Sequence, residues 1–303
     1  MKTERIPVTL LSGFLGAGKT TYLNARLRDG IPAGSLILVN DFGDINIDAE
    51  LIEYRDEQVL RLSKGCICCT LGGSLAEQLA QILRMEPAPA AIYIEASGIA
   101  DPARIVDTIA VSPRLRLAEL VCLVDASQAE RHAGDPLCAG IWRRQIGAAN
   151  RVVVNRIGAD EPFPPVLAVA LHGRDVAVER QPCAVPPRAA VPRAAAPVGS
   201  ALGLGHASNW QQCSVRFDAQ VDGERLATLL HRYADVVIRA KGILRRNGHA
   251  GAEVLQWSGT TMNWSPSAVR APGGQLVCIG ASGERFAEFA DALRRLRHDE
   301  EAD

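Results

Sequence analysis

Residues 13–20, with the sequence Gly-Phe-Leu-Gly-Ala-Gly-Lys-Thr, constrain the fold of this 303-residue chain more than any other feature. They fit the pattern G-x-x-x-x-G-K-[ST] of the phosphate-binding loop (P-loop), which connects a β-strand to an α-helix. An apolar, strand-like stretch over residues 6–11 precedes the loop, and a helical stretch over residues 21–28 follows it. The sequence therefore predicts an α/β domain that binds a nucleotide, rather than a glycine-rich turn without a ligand.

The residue types of this loop suit a di- or triphosphate. Glycines let backbone N–H groups turn inward around phosphate, and the N-terminus of the following helix adds its positive end. Lys19 can reach the β- and γ-phosphates, and the Thr20 hydroxyl can bind Mg²⁺. The predicted nucleotide-contacting residues of the loop are Gly13, Gly16, Ala17, Gly18, Lys19, Thr20 and Thr21.

Charge and cysteine usage narrow the class of protein. The formal net charge is −1 and basic residues are not clustered, so we expect no nucleic-acid partner. No apolar stretch is long enough to cross a membrane. Because residues 1–5 lead directly into a predicted strand, we expect no signal peptide. Three of the eight cysteines cluster and five are scattered, unlike a disulfide scaffold. A cytoplasmic protein with reduced thiols is the expectation.

Strand and helix patterns alternate up to residue 171. Apolar runs predict strands at residues 6–11, 35–40, 58–62, 90–95, 119–125, 151–155 and 166–171. Several of these runs are continuous stretches of Val, Ile and Leu, which is typical of parallel strands covered on both faces. The expected fold class is α/β, with a doubly wound, mostly parallel P-loop sheet.

Composition changes near residue 179 and again near residue 210. Residues 179–209 are rich in Pro, Ala and Arg and predict an extended linker. Strand patterns at residues 212–217, 236–244, 252–258 and 275–280 then lie between helical patterns at 223–231 and 283–297. We therefore predict a P-loop domain over 1–178, a linker over 179–209, a small α+β domain with an antiparallel sheet over 210–298, and an acidic tail over 299–303.

A second anchor for Mg²⁺ is expected at the end of a buried strand. Residues 91–98, Ala-Ile-Tyr-Ile-Glu-Ala-Ser-Gly, supply an apolar strand, a glutamate and then a glycine. Glu95 would hold a Mg²⁺-bound water, and the N–H of Gly98 would contact the γ-phosphate. The alternative is that Glu95 caps a helix that begins near Asp101.

Two polar segments between the P-loop and that strand are candidate metal ligands. Residues 40–48 hold acids and amides around a glycine, so that Asp41 or Asp44 could polarise the attacking water or bind metal, unless this is an ordinary solvent loop. Cys66, Cys68 and Cys69 follow, and thiolates are ligands for Zn²⁺ and related ions.

The spacing of the cysteines leaves their ligand set open. On a strand, Cys66 and Cys68 would face one side and Cys69 the other, so all three reach one ion only if the chain turns sharply. Otherwise a carboxylate, from Asp44 or Asp41, or a water completes the set. Buried apolar packing of the cysteines or a strained redox pair at residues 68 and 69 are the other interpretations.

Four ordered motifs resemble those of the CobW family of P-loop GTPases. They are residues 9–21, residues 40–44 (Asn-Asp-Phe-Gly-Asp), residues 65–69 (Gly-Cys-Ile-Cys-Cys) and residues 95–102 (Glu-Ala-Ser-Gly-Ile-Ala-Asp-Pro). Residues 237–242, Val-Ile-Arg-Ala-Lys-Gly, also resemble the signature of the family's C-terminal domain. The similarity covers most of residues 5–155 and, more weakly, residues 212–297.

The resemblance implies a metal-binding GTPase that delivers or inserts a divalent ion, Zn²⁺ or Co²⁺, into a client metalloprotein or a cofactor made by a synthesis enzyme. It implies GTP and Mg²⁺ as ligands, with Lys19, Asp44 and Glu95 in catalysis and Thr20 and Glu95 at Mg²⁺. Cys66, Cys68 and Cys69 would then bind the transported ion, with Asp41 or Asp44 as the candidate carboxylate ligands. Turnover is expected to be slow without a partner, and a homodimer is compatible with the resemblance.

The chain departs from the family's guanine-reading motif. The family has N-K-x-D after a strand, whereas residues 155–158 here are Asn-Arg-Ile-Gly. Asn155 and Arg156 can still serve the base, but Gly158 has no acceptor for guanine and Asp160 lies two residues late. The proline-rich residues 162–165 lead into the predicted strand at 166–171, so that the helix expected there is absent. Guanine against adenine preference therefore stays open.

Histidine-rich tracts, which some relatives carry, are absent here. The six histidines are spread along the chain, and none forms a pair with ligand spacing.

Two other functions stay open. One is a nucleotide-gated adaptor with little hydrolysis. The other is a P-loop kinase for a small molecule, which is less favoured because it leaves the cysteine segment without a purpose.

Overall fold

Residues 5–40, 75–181, 210–259, 262–267 and 274–300 are the part of the chain described by the structure, a computed structural model. Described residues up to 181 belong to one unit, and those from Trp210 onward belong to a second. Each unit has its own sheet. The division into domains at the predicted boundaries stays a prediction.

The first unit contains a six-stranded sheet with the strand order β2-β3-β1-β4-β5-β6. All neighbouring strands run parallel. The strands are β1 (Ile6–Ser12), β2 (Leu36–Asn40), β3 (Ile92–Ala96), β4 (Leu115–Asp125), β5 (Arg151–Asn155) and β6 (Ala177–Arg180). The helices between them are α1 (Lys19–Asp29), α2 (Leu75–Ile82), α3 (Pro102–Ala110), α4 (Ala129–Gly134), α5 (Ala139–Ala148) and α6 (Pro165–Leu171).

The central strands of this sheet are largely buried. All five residues of β3 are buried, and Val8 and Leu10 of β1 are fully inaccessible to solvent. Continuous apolar strands are expected where helices cover both faces of a parallel sheet. At about 25 cal/mol per Å², burial of these side chains is the main favourable term in the stability of the sheet.

The parallel arrangement brings the carboxyl ends of four neighbouring strands to one edge of the sheet. Leu11 in β1 is in register with Glu95 in β3, and Asp125 in β4 is in register with Asn155 in β5. Ligands of open α/β sheets bind outside the carboxyl ends of the strands. The fold therefore places the loops that follow β1, β3, β4 and β5 beside one another.

One predicted strand is wrong, and the prediction that no helix follows residues 155–158 is wrong as well. Residues 166–171 lie within the helix α6, and the last strand of the sheet is β6, which begins six residues after α6 ends. Pro165 occupies the first turn of this helix, where its fixed φ angle is favourable. Leu167, Ala170 and Leu171 are buried at helical spacing. A short continuous apolar run does not distinguish a strand from a buried helix by its periodicity.

The second unit contains an antiparallel five-stranded sheet with the order β10-β9-β8-β11-β7. Its strands are β7 (Trp210–Phe217), β8 (Val237–Arg245), β9 (Ala252–Trp257), β10 (Met262–Pro266) and β11 (Gly274–Ala281). Two helices belong to it, α7 (Gly223–Arg232) and α8 (Glu284–Glu300). Strand β10 was not predicted, and it ends in a proline, which suits an edge strand.

Side chains of α7 and α8 pack onto one face of this second sheet. Leu226 and Leu230 of α7 and Phe289 of α8 are fully buried in one cluster with Leu276 and Trp257 of the sheet. The predicted fold class is thus confirmed: a doubly wound, mostly parallel P-loop sheet and a small α+β domain with an antiparallel sheet. Among the described residues, no helix is both long and apolar enough to cross a membrane.

Candidate nucleotide-binding site

The predicted P-loop connects β1 to α1 in a conformation that requires glycine. Gly13, Gly16 and Gly18 all have positive φ angles, of 130°, 80° and 87°. A Cβ atom at Gly13 would lie 2.4 Å from the carbonyl oxygen of Leu123 in β4. Gly18 is the N-cap of α1, so the backbone N–H groups of the first helical turn begin at the loop. Such a helix N-terminus favours a bound anion.

Lys19 is folded inside the loop. Its Nζ atom donates hydrogen bonds to the carbonyl oxygens of Gly13, at 2.8 Å, and Phe14, at 3.3 Å. The side chain is buried, with 6 % of its surface exposed. A buried ammonium group held by carbonyl oxygens carries a full positive charge into the loop, where a phosphate would compete for it. Ala17 is buried beside it, whereas Thr21 points to solvent.

Thr20 and Glu95 meet across the sheet edge. The Thr20 Oγ1 atom donates a hydrogen bond of 2.8 Å to Glu95 Oε1, although the two residues are 75 positions apart. Glu95 is 3 % exposed. A hydroxyl and a buried carboxylate next to a phosphate loop are oxygen ligands of the kind that Mg²⁺ prefers, so these residues fit that ion. The alternative role of Glu95, as a cap of α3, is taken by Asp101, which accepts from the N–H of Ala103.

Gly98 lies against the P-loop. A Cβ atom built at Gly98 would lie 2.8 Å from both the N and the Cα atoms of Leu15 and 2.6 Å from its Cδ2 atom. The β3–α3 loop, which we define as residues 97–101, therefore approaches the backbone of the P-loop as closely as only glycine allows. The contact of Gly98 with a γ-phosphate stays a prediction.

The segment that follows β5 is bonded to the P-loop and to β4. Asn155 Nδ2 donates to the carbonyl oxygen of Ala17 at 2.6 Å, while its Oδ1 atom is buried with no hydrogen-bond partner among the described residues. Arg156 adopts a left-handed conformation with φ of 52° and forms an ion pair with Asp125. Asp125 also accepts from the Ser127 N–H at 3.0 Å. The Arg156 guanidinium thus lies on a carboxylate of the neighbouring strand.

The loop after Arg156 closes on Gly158. The Gly158 N–H donates to Glu161 Oε2 at 2.9 Å, and the Gly158 carbonyl accepts from Arg180 Nη1 at 2.8 Å. The Arg180 guanidinium also lies 4.4 Å from the centre of the Phe163 ring. The carboxylate next to Gly158 is therefore that of Glu161. Asp160, which the sequence analysis considered for the guanine contact, is exposed.

The predicted metal ligands Cys66, Cys68, Cys69, Asp41 and Asp44 lie outside the described residues, as does the strand predicted at 58–62. Within the described part of the chain, no group of three or more His, Cys, Asp or Glu side chains is placed to hold a metal ion. The described thiols, those of Cys122, Cys138, Cys213 and Cys278, are reduced and buried. Burial raises the pKa of Cys122 to about 12, which keeps this thiol protonated beside the loop.

Three residues that the sequence did not single out contact the loops of this site. Asp125 follows an apolar run at the end of β4, much as Glu95 does near the end of β3, so the same signal was available for it. The ring of His132 in α4 packs edge-on against Phe14 of the P-loop, with centroids 4.7 Å apart. Gln145 in α5 reaches the carbonyl oxygens of Gly98 and Ala100. Nothing in the sequence near His132 or Gln145 predicts these contacts.

Two family models match the chain. The model described as CobW/HypB/UreG, nucleotide-binding domain, matches residues 7–161. The model described as Cobalamin synthesis protein cobW C-terminal domain matches residues 210–297. The two matched segments correspond to the two described units.

Three curated relatives show similarity to part of the chain. A zinc chaperone, YjiA, of Escherichia coli K12 is 33 % identical over 159 residues, covering 50 % of this chain and 49 % of its own. Zinc-regulated GTPase metalloprotein activator 1 of Dictyostelium discoideum is 37 % identical over 118 residues, covering 35 % and 25 %. The zinc chaperone CobW of a Sinorhizobium species is 34 % identical over 104 residues, covering 32 % and 29 %. The alignments thus span between a quarter and a half of these relatives.

Proposed function

Because this chain belongs to the CobW family of nucleotide-binding proteins, we propose that it is a GTPase that couples GTP hydrolysis to delivery of a divalent metal ion, Zn²⁺ or Co²⁺. The observation that carries the proposal is the hydrogen bond between Thr20 and Glu95 at the P-loop. It brings a hydroxyl and a buried carboxylate to the first turn of α1, beside the Lys19 ammonium. The names of the relatives, which refer to zinc and to GTP hydrolysis, support the same function.

The described residues would hold the triphosphate in stated roles. Lys19 would exchange its bonds to Gly13 and Phe14 for bonds to the β- and γ-phosphates, so that its charge is never left uncompensated. The N–H groups of residues 16–20 would surround the β-phosphate, and the Gly98 N–H would contact the γ-phosphate. Thr20 and Glu95 would hold Mg²⁺, which offsets negative charge on the phosphates when it is bound.

The remaining parts of the proposed mechanism involve residues outside the described ranges. Asp44 would polarise the attacking water, while Cys66, Cys68 and Cys69, together with Asp41 or Asp44, would bind the transported ion. Loss of the γ-phosphate would release the segment of residues 41–48 and change the affinity for that ion. The client would be a metalloprotein or an enzyme of cofactor synthesis in the cytoplasm.

Metal titration of the reduced protein tests the coupling between the two sites. The affinity for Zn²⁺ or Co²⁺ is measured with a non-hydrolysable GTP analogue, with GDP and without nucleotide. We expect the metal affinity to differ between the first two states. In the double variant Cys66→Ala with Cys68→Ala, metal binding should be lost while nucleotide binding persists, and unchanged metal affinity would refute the site.

A second candidate is a nucleotide-gated binding protein with little hydrolysis or relaxed base preference. The observation in its favour is that Gly158 has no side-chain acceptor for guanine and that Arg156 is engaged by Asp125. Multiple-turnover phosphate release from GTP and from ATP, with and without Zn²⁺, separates the two candidates. Lys19→Ala supplies the background rate, and turnover no faster than that background would favour the second candidate.

A further inference from the structure

We propose that Gln145 is a positioning residue for nucleotide hydrolysis, an inference that rests on the proposed function. Gln145 lies in α5, and 1 % of its surface is exposed. It touches neither the P-loop residues nor Glu95 in any contact described above. Its action would be on the β3–α3 loop, residues 97–101.

The Gln145 carboxamide holds two carbonyl groups of that loop. Its Nε2 atom donates to the Gly98 oxygen at 3.0 Å and to the Ala100 oxygen at 3.1 Å. Because both partners are acceptors only, the NH₂ end of the amide must face the loop. Its Oε1 atom is buried with no hydrogen-bond partner among the described residues. The side chain is therefore placed for these two bonds at the cost of leaving an acceptor unsatisfied.

The same helix holds the loop at a second point. Arg144 Nε lies 3.1 Å from Asp101 Oδ2, the carboxylate that caps α3. Side chains of two successive residues in α5 thus bond to three residues of the loop, at positions 98, 100 and 101. Two bonds from a buried side chain are the stronger constraint, since the Arg144 side chain is half exposed.

Helix α5 is also connected to the P-loop through α4. Arg143 Nη2 donates to the carbonyl oxygen of Ala133 in α4 at 2.9 Å, and the neighbouring His132 packs on Phe14. The helix pair α4–α5 therefore contacts the P-loop on one side and the β3–α3 loop on the other. Gln145 would set the position of Gly98 relative to Lys19 and Thr20 without contacting the nucleotide.

This role predicts a loss that depends on the γ-phosphate. GDP has no γ-phosphate for the β3–α3 loop to contact, so its affinity should not depend on Gln145. The triphosphate also uses the β3–α3 loop, and a displacement of about 1 Å in such a loop can reduce turnover by about a hundredfold. A purely structural glutamine would instead alter both affinities together, in proportion to lost stability.

The experiment compares Gln145→Leu with wild type in the full chain. Measurements are kcat and KM for GTP, the Kd values of GDP and of a non-hydrolysable GTP analogue by calorimetry, and the thermal unfolding midpoint. We expect kcat to fall by about ten- to a hundredfold and the analogue to bind more weakly, with the GDP Kd within about twofold of wild type. Gln78→Leu, which replaces another buried helical glutamine, is the matched control and should leave these values unchanged.

Two further variants keep the test decisive if Gln145→Leu does not fold. Arg144→Met, at a half-exposed position, should lower kcat in the same direction by a smaller factor. Gln145→Glu directs a carboxylate at two carbonyl oxygens. Its turnover relative to wild type should recover as the pH falls, because a protonated carboxyl can donate one hydrogen bond.

The outcomes distinguish the inference from the function on which it rests. A folded Gln145→Leu variant with the kcat of the wild type would overturn the inference, and the proposed GTPase function would still stand. Equal weakening of GDP and analogue binding would show a structural role only. Wild-type protein that binds no nucleotide in the presence of Mg²⁺ would overturn the proposed function first. If the wild type binds without turnover, the difference between the two Kd values still decides the inference.

Discussion

Replacement of Gly98 by alanine is the sharpest perturbation of the contact between the two phosphate-site loops. The added Cβ atom would lie 2.6 Å from Leu15 Cδ2 and 2.8 Å from both the N and the Cα atoms of Leu15. Two of these three atoms belong to the backbone of the P-loop, so the clash cannot be relieved by a side-chain rotation. Either the P-loop or the β3–α3 loop has to move.

The expected cost follows from overpacking in a closely packed site. Such insertions destabilise proteins by about 1–3 kcal/mol. If the loops separate to avoid the clash, the geometry of the γ-phosphate contacts is lost, and we expect kcat/KM for GTP to fall by about ten- to a hundredfold. Leu15→Ala in the Gly98→Ala background removes only the Cδ2 contact, so it should restore less than half of the lost free energy of unfolding.

The assay combines phosphate release at several GTP concentrations with urea denaturation monitored by tryptophan fluorescence. Gly140→Ala is the control, because the nearest atom to its added Cβ is Arg144 Nη1 at 3.6 Å, an ordinary contact. Glycine to alanine within a helix is expected to stabilise by about 0.5–1 kcal/mol. A Gly98→Ala protein with wild-type stability and turnover would show that the two loops do not need this approach.

Three other outcomes follow from described contacts. Lys19→Ala should abolish measurable GTP and GDP binding by calorimetry while circular dichroism stays unchanged, and retained affinity would contradict the role of the ammonium. Burial, assisted by Arg131, lowers the pKa of His132 to about 4, so the unfolded chain takes up this proton first. Stability should therefore fall as the pH drops from about 6.5 to about 4, and denaturation of His132→Phe over that range should show a smaller decrease. Phe289→Ala should destabilise the second unit by about 3–5 kcal/mol in urea denaturation, because this ring is fully buried against Tyr233 and Phe286.

Local sequence patterns were sufficient to predict the structures that depend on residues close together in the sequence. The P-loop could be predicted because its glycines, lysine and threonine lie within eight consecutive residues, and the strand that contains Glu95 because its apolar run is uninterrupted. The run at residues 166–171 was predicted as a strand but forms a helix. All six residues are apolar, so the run has no polar face that would show its periodicity, and only Pro165 at its start indicates a helix.

Contacts between distant residues could not be predicted in the same way. Gln145 and Gly98 are 47 positions apart, and Arg156 and Asp125 are 31 apart, so their pairing depends on how the sheet orders its strands. The left-handed conformation of Arg156 is equally unexpected, because few residues other than glycine adopt it without a tertiary partner. The predicted roles of Asp44 and of the clustered cysteines concern residues outside the described ranges and stay predictions.

The position of Arg180 has a practical consequence for shortened versions of this protein. Strand β6 pairs with β5 up to the register of Arg180 with Val154, and the next residue, Gln181, donates its N–H to the Val154 carbonyl at 2.8 Å. A truncation after residue 178, where the sequence suggested a boundary, would remove the guanidinium that supports Gly158. Fragments intended for nucleotide-binding measurements should therefore extend to at least residue 181. In a shorter fragment, a change in base preference would be an artefact of the truncation.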